Sequence, residues 1–564
     1  MKSNYQTRWE VLPPAPAEYL EAANLPPIVA QLLYNRGVRP HEIEAFVAAD
    51  HRLQGNPSLL PDLSPAVSRI YRALLSGERI AIYGDLDVDG VTATAVLVEA
   101  LSQLGGKTTT YIPDRLSEGH GLKFAGLQKL HHDGAGLIIT VDCGISDLAE
   151  AKQAQQLGLD MIITDHHVPL ATLPQAIAVI DAKRKDSQYP FPELAGVGVA
   201  FKLAQALFHK DRRANQLTEL LDLVALGTIT DMVPLTGENR YFAKEGLNVL
   251  NNTRRTGIQE MAKLARLNLG KVNTDDVSWV LGPRLNAAGR INDASISYRL
   301  LVTRSPQEAN SLARELEETN AERQKVTTEA LDKAHERVAP RLDLPLIIEG
   351  DETYPVGVIG LVAGKLKDEF YKPAIIINLG SEICRGSSRS IPEFDIASAL
   401  AQCQDLLITF GGHPLAAGFT IERRNLPRLE ERLMDLAQSQ LSHLNLQPRV
   451  TVDAEVPLST FTGDTFNQIQ QLEPFGQGNP YPTFLSRQVA VTESRNFGNQ
   501  DKWLKLKLKQ GDISWEAVSF DSQKAQGVVA PHIDIVYNIE KGFWNREEVL
   551  QLKVRDFTPS GQPG

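Results

Sequence analysis

The segment YGDLDVDG (residues 83–90) sets carboxylates at every second position, Asp85, Asp87 and Asp89, and closes on a glycine. Carboxylates this close raise one another's pKa unless a positive charge lies among them, so the segment calls for a cation. D-x-D-x-D-G also opens an EF-hand loop, which needs a bidentate Glu at its twelfth position. The twelfth residue counted from Asp85 is Val96, and the preceding ERIAIY is short, apolar and β-branched. That is the pattern of a buried strand, where an EF-hand requires a helix. The following VTATAVLVEALSQLG has helical length, good helix formers and a terminal glycine. Strand, acidic loop and helix make the first half of a βαβ unit, and in open parallel sheets ligands collect beyond the carboxyl ends of the strands. A single Asp in such a loop commonly caps a helix or shapes a turn; three in alternation point to a cation site.

The same pattern recurs. GLIITV leads to Asp142 in VDCGIS, and DMIIT leads to Asp165, His166 and His167. A fourth acid, Asp231, ends the apolar run in LVALGTITDMVPL. Strands alternating with helices predict an α/β fold with a parallel sheet, along whose edge these side chains converge. Adjacent histidines within a strand face opposite sides, but where the chain turns at a strand end both can face one site, His166 as ligand and His167 on phosphate or beside the metal. Carboxylates with neutral imidazoles and no thiolates suit Mn²⁺ or Mg²⁺ rather than structural zinc. The number of acids suggests two ions, the usual clamp for in-line displacement at phosphorus.

The 564 residues are enough for about three to four domains of ordinary size, and the 42% hydrophobic and 23% charged fractions are those of a soluble globular protein. Three scattered cysteines exclude a disulfide framework and a thiolate zinc site. With no apolar run of spanning length and no signal-peptide core near the N-terminus, a cytoplasmic protein without a membrane partner is expected. The net charge of −11 gives no compositional support for nucleic-acid binding; a local basic groove and bound cations would reconcile the two. Residues 1–65 read as a proline-punctuated helical segment and 66–304 as the α/β catalytic domain. Residues 305–342, charged and glycine-free, read as a long, largely exposed connecting helix, 343–447 as a second α/β domain, and 448–564 as a small OB-type β-barrel.

DLDVDG, VDCGIS, DHH and GTITDMVPL together resemble the DHH phosphoesterase superfamily. YIPDRLSEGHGL, LAGVGVAFKL, GPRLNAAGRINDA, GGHPLAAGF and PFGQGNPYPTF narrow the resemblance to the RecJ single-strand-specific exonucleases, over about residues 70–560. The resemblance implies a DHH domain followed by a DHHA1 domain, with Asp85, Asp87, Asp142, His166 and Asp231 as metal ligands and Asp89 and His167 completing the site. It implies that His413 is presented by the second domain to the scissile phosphate, and that Ser387, Arg389 and Arg115 bind a terminal 5′ phosphate. Arg284, Asn286 and Arg290 look like contacts to the strand or to the domain interface. The implied activity is metal-dependent 5′→3′ degradation of single-stranded DNA to mononucleotides in recombination and repair, with a single-strand-binding protein and a helicase as partners. The chain departs from the family's frequent Tyr at His120 and from its frequent Asn-Pro at Asp181-Ala182.

From the residues alone, GSSRS offers hydroxyls, backbone donors and a guanidinium fork to an anion, whereas GGHPLAAG reads equally as a tight turn. Trp503 and Trp544, with Trp515, Phe520, Tyr537 and nearby lysines, form a candidate stacking surface. Aromatics in a small barrel more often belong to its core, so only one or two are expected to meet bases. Two other functions fit parts of the pattern: a DHH-type phosphoesterase of short oligonucleotides or small phosphoesters, and a non-catalytic single-strand-binding replication scaffold. Every ligand position is filled, which argues against the scaffold.

Overall fold

The computed structural model describes all residues except 1–6, 116–117, 210–212, 292, 462, 499–502, 521–528, 545–546 and 562–564. Contacts divide the chain into two units, Gln54–Leu446, and Asn4–Leu53 with Gln447–Gly564.

In the first unit the apolar, β-branched runs form a five-stranded parallel sheet of β1 (Arg79–Gly84), β2 (Lys107–Tyr111), β3 (Ala135–Val141), β4 (Asp160–Thr164) and β5 (Ala178–Ile180). Their order is β2-β1-β3-β4-β5. β1, β3 and β4 are buried almost throughout, which is why they read as continuous apolar runs rather than alternating ones. Register carries the functional consequence. Gly84 lies opposite Val141, Val141 opposite Thr164, and Thr164 opposite Ile180. The next residue of each strand is therefore level with its neighbours, and those residues are Asp85, Asp142, Asp165 and Asp181. The chain leaves β1 toward β2 and returns on its other side as β3, so Asp85 and Asp142 flank the switch point at which open sheets bind ligands.

The charged segment forms one 33-residue helix, Pro306–Val338, capped by Ser305, whose side chain accepts the Glu308 N–H. Its composition hides a narrow apolar stripe, so it is less exposed than expected. Leu312, Ala313 and Leu316 join the core of the first sheet, and Ala330, Ala334 and Val338 join that of the next domain. That domain has a mixed sheet of β6 (Ile347–Asp351), β7 (Ala374–Asn378), β8 (Ile383–Arg389), β9 (Leu407–His413) and β10 (Ala416–Glu422), ordered β9-β10-β8-β7-β6. Ala416 pairs with His413 on one side and Arg389 on the other. His413 and Arg389 are thus level and two strands apart, about 10 Å by the usual strand spacing.

In the second unit, β11 (Phe484–Phe497), β12 (Trp503–Gln510), β13 (Ile513–Ser519), β14 (His532–Trp544) and β15 (Glu547–Pro559) run in the order β11-β12-β13-β15-β14, and β14 pairs back to β11 to close a barrel. The N-terminal residues, expected as a helical segment over 1–65, include a strand, Arg8–Val11, paired in parallel with Arg449–Val452. Val29, Leu32, Leu33, Ile43 and Phe46 are buried in one cluster with Phe461, Phe484, Leu506 and Tyr537 of the barrel. The division falls at 53/54, and the helix Leu63–Ser76 packs with the first sheet's core. Among the described residues no helix is long and apolar enough to cross a membrane. Because Leu33 is fully buried, Leu33→Ala should cost the barrel unit about 2–5 kcal/mol in denaturant unfolding; a loss below about 0.5 kcal/mol would contradict this packing.

Candidate metal centre and phosphate pocket

Local chemistry sets the orientation of each acid at the sheet edge. Asp87 caps the helix Val88–Gln103, its Oδ1 accepting the N–H groups of Asp89 at 2.9 Å and Gly90 at 3.2 Å, so the capping role and the cation role fall on one carboxylate. Asp89 accepts at both oxygens from the start of the helix Gly196–Leu207, from Gly196 at 2.6 Å and Val197 at 2.8 Å. There the orphan amides and the helix dipole favour an anion. Gly196 has to be glycine, because a Cβ would lie 2.6 Å from Asp142 Oδ1. Asp142 itself sits at φ +61°, a left-handed conformation that costs a non-glycine residue and collects at functional sites. Asp231 follows directly on the helix Leu221–Thr230, which packs beside Val88–Gln103.

These side chains meet. Candidate ligand atoms of Asp85, Asp87 and Asp142 lie within 4.8 Å of one another, as do those of Asp89, His166 and Asp231 and those of Asp142, His166 and His167. The third triad shares Asp142 with the first and His166 with the second, so the donor atoms form one continuous cluster, long enough for two adjacent ions. His166 Nε2 is 3.1 Å from Asp142 Oδ1, 3.7 Å from Asp231 Oδ2 and 3.9 Å from Asp89 Oδ2. None of these approaches is a hydrogen bond: His166 Nε2, Asp142 Oδ1, Asp231 Oδ2 and Asp85 Oδ1 are buried without a hydrogen-bond partner. Buried polar atoms normally pair, so this set of oxygen and nitrogen donors fits hard or borderline divalent cations such as Mn²⁺ and Mg²⁺.

The electrostatics agree. Burial, and then the neighbouring carboxylates, push Asp142 and Asp231 well above the usual carboxylate range and Asp89 up to about 7. Burial, reinforced by His167, holds the His166 imidazole down at about 3, hence neutral and able to ligate. His167 goes the other way. Burial pulls it down, but the Asp165 carboxylate, 2.7 Å from its Nδ1, outweighs burial and raises it to about 9. Asp165 also accepts the backbone N–H groups of Ile145, His166 and His167, orienting the pair; its sequence position beside the histidines was visible, its partners were not. Asp181 is fully buried with Oδ2 unpartnered, and burial raises it to about 7.

A cationic pocket adjoins this edge. Burial first, and then Arg115, Arg323 and Arg389, lower Arg290 to about 10, and Arg290 lies close to Asp87 as well. Arg115 in turn is held near Asp85 and Asp87. Four guanidiniums from four elements thus lie within one another's electrostatic reach, a concentration of positive charge that suits an anion. Arg389 reaches toward Ser387 beside Gly360, in the first turn of the helix Ile359–Phe370; a Cβ on Gly360 would lie 2.9 Å from Ser387 Oγ and 3.3 Å from Arg389 Nη2. A helix N-terminus, a hydroxyl and a fork donor suit a phosphate. Arg323, in the connecting helix, is the residue that sequence reasoning missed, hidden among the charges of a segment read as a solvated face; its Nε is buried and unpartnered.

Other candidates are placed differently. Arg284 forms an ion pair with Glu317 of the connecting helix at 2.6 Å and donates to the Val280 carbonyl. Asn286 accepts the Val88 N–H at 3.1 Å and so steadies the acidic loop from within its own domain. Both side chains are held by the protein. His413 ends an exposed strand and, among the described residues, makes no hydrogen bond or ion pair with the acidic edge. Trp503 is exposed, packed edge-on with Phe520 and against Phe497, while Tyr537 is core and the Trp515 indole donates to Leu458. The Trp544 side chain lies outside the described residues.

Comparison with known proteins identifies three domains. Residues 79–228 match the DHH family, N-terminal domain, residues 343–440 the DHHA1 domain, and residues 452–556 the RecJ OB domain. The single-stranded-DNA-specific exonuclease RecJ of Escherichia coli is 36% identical over 565 residues, 95% of this chain and 96% of that protein. Its counterpart in Bacillus subtilis is 38% identical over 97% of this chain and 70% of that protein. The chain belongs to the RecJ family of single-stranded-DNA-specific exonucleases. RecJ of Thermus thermophilus, solved in complex with Mn²⁺, superposes with a TM-score of 0.84 at 29% identity, covering 99% of this chain and 80% of that one. The Mg²⁺ complex superposes with a TM-score of 0.77. Both metals named in those RecJ structures are ones the donor set here accommodates.

Mutual repulsion among the acids makes a stability prediction. In EDTA, Asp142→Asn should leave the protein as stable as wild type or more so, since Asn tolerates the left-handed conformation and replaces a carboxyl whose ionised form burial and its neighbours disfavour. Excess Mn²⁺ should stabilise wild type by roughly 1–3 kcal/mol and the variant far less. A destabilised variant with an undiminished Mn²⁺ response in denaturant titrations would contradict the assignment.

Proposed function

We propose that the protein removes mononucleotides successively from the 5′ end of single-stranded DNA in a Mn²⁺- or Mg²⁺-dependent hydrolysis. The observation that carries this reading is the adjacency, within one unit, of an acidic edge with unpartnered buried donors and a pocket of four arginines. Asp85, Asp87, Asp142, His166 and Asp231 would hold the ions, with Asp89 and His167 alongside. Two such ions, when bound, supply Lewis acidity at phosphorus, activation of the attacking water and stabilisation of the leaving oxygen. Everything else is done by side chains. Ser387, Arg389 and Arg115 grip a terminal phosphate, with Arg290 and Arg323 adding charge behind it. Arg115 reaches the acidic edge through His120, whose ring contacts both Arg115 and Asp85, so a strand anchored at its terminal phosphate would present its first internal phosphodiester there. Fixing the end in this way converts cleavage into removal of one nucleotide per cycle. His167, held protonated by Asp165, donates to a phosphate oxygen. His413, level with Arg389, approaches the phosphate from the second domain.

On the barrel, Trp503 with Phe497 and Phe520 offers a platform on which bases stack. The activity belongs to recombination and repair in the cytoplasm, beside a helicase that exposes 5′-ended strands and a protein that keeps them single. Digestion of a long 5′-phosphorylated strand labelled at either end tests the reading. The 5′ label should leave at once as mononucleotide while the 3′-labelled strand shortens gradually. EDTA should abolish both, and Asp142→Ala should lower the rate by about 10²–10³-fold or more. Release of the 3′ label first, or hydrolysis confined to dinucleotides, would overturn it.

A further inference from the structure

His120 belongs to the loop between β2 and the helix Phe124–His132, and its imidazole touches both halves of the site. Nε2 lies 2.7 Å from an Arg115 Nη1, and Nδ1 lies 3.3 Å from Asp85 Oδ2. A guanidinium nitrogen can only donate, so the Nε2 facing it accepts, and the ring proton lies on Nδ1, which donates to the carboxylate. The bridge therefore has one polarity, from Arg115 through the ring to Asp85. On its other side the Arg115 Nε donates to the Gly289 carbonyl at 2.7 Å. The guanidinium is thus gripped at two nitrogens by two different elements, one grip being a carbonyl of the helix Gly282–Ile291 and the other His120. Arginine recognition of phosphate depends on the orientation of a planar fork, and a fork held at two points is preorganised.

We propose that His120 is a positioning residue for the 5′ end. It sets the plane of the Arg115 guanidinium toward the terminal phosphate and ties that orientation to Asp85, so that the pocket and the metal edge keep one spacing. A phenol at this position has one oxygen where the imidazole has two nitrogens on opposite sides of a ring, so it cannot make both contacts in the same way. The inference rests on the reading of Arg115 as a terminal-phosphate ligand, and the test separates the two.

The full-length protein is titrated in EDTA, where no cleavage occurs, with a short fluorescent single strand carrying either a 5′ phosphate or a 5′ hydroxyl. The quantity read is the ratio of the two Kd values. Wild type should prefer the phosphate. Arg115→Ala and His120→Ala should each reduce that preference about ten-fold or more, and the double variant should lose no more than Arg115→Ala alone. His120→Gln, which keeps a donor and an acceptor, should recover most of the preference. Retention of the preference by Arg115→Ala would overturn the phosphate reading and this proposal with it. Loss in Arg115→Ala with retention in His120→Ala, additive losses in the double variant, or failure of His120→Gln to recover would overturn the role of His120 alone.

Discussion

Four parallel strands end level with one another, and each is followed by an aspartate. That register concentrates negative charge where the sheet offers no counter-charge of its own, and much of the first unit is arranged around it. Two helix starts absorb part of the problem: Asp87 caps one, and Asp89 receives the first amides of another. What remains, on Asp85, Asp142, Asp231 and His166, is a set of buried lone pairs with nothing to bind. Leaving such atoms unpaired costs more than any one of them contributes when paired, and divalent cations at the edge would satisfy them together.

The positive side of the site depends on a different device. Arg115, Arg290, Arg323 and Arg389 come from a loop, two helices and a strand, and the connecting helix brings the first and second domains close enough for them to meet. Its apolar stripe joins both cores, and Arg284–Glu317 secures it to the helix Gly282–Ile291. Guanidiniums set beside carboxylates, with His120 between Arg115 and Asp85, form a surface suited to a polyanion and divalent cations together. A chain with net charge −11 can in this way offer a local anion site.

How much of this was legible in the sequence follows from what each feature depends on. The strands of the first sheet and the acids after them could be read because a buried parallel strand is a continuous apolar run and its end is marked by a change of residue type. The alignment of Asp85 with Asp142 could be inferred from topology alone. Contacts between distant segments could not. Nothing local in RLNAAGR shows that Asn286 turns inward to Val88 while Arg284 pairs with Glu317, and nothing in the charged helix singles out Arg323 from its neighbours. The strand Arg8–Val11 pairs with residues more than 400 positions away, and four residues carry too little periodicity to announce such a partner. Trp503 heads the alternating WLKLKLK and shares the face of its lysines, so its exposure was legible, whereas Tyr537 lies in the near-continuous apolar run IDIVY, where alternation does not tell which face is buried.

The donor set at the acidic edge has room for two neighbouring divalent cations. Electron paramagnetic resonance of the full-length protein titrated with Mn²⁺ tests it most directly. The geometry predicts two ions per chain with a spin-coupled spectrum, reduced to at most one uncoupled ion in Asp142→Asn. A single uncoupled Mn²⁺ in the wild-type protein, or none, would contradict it.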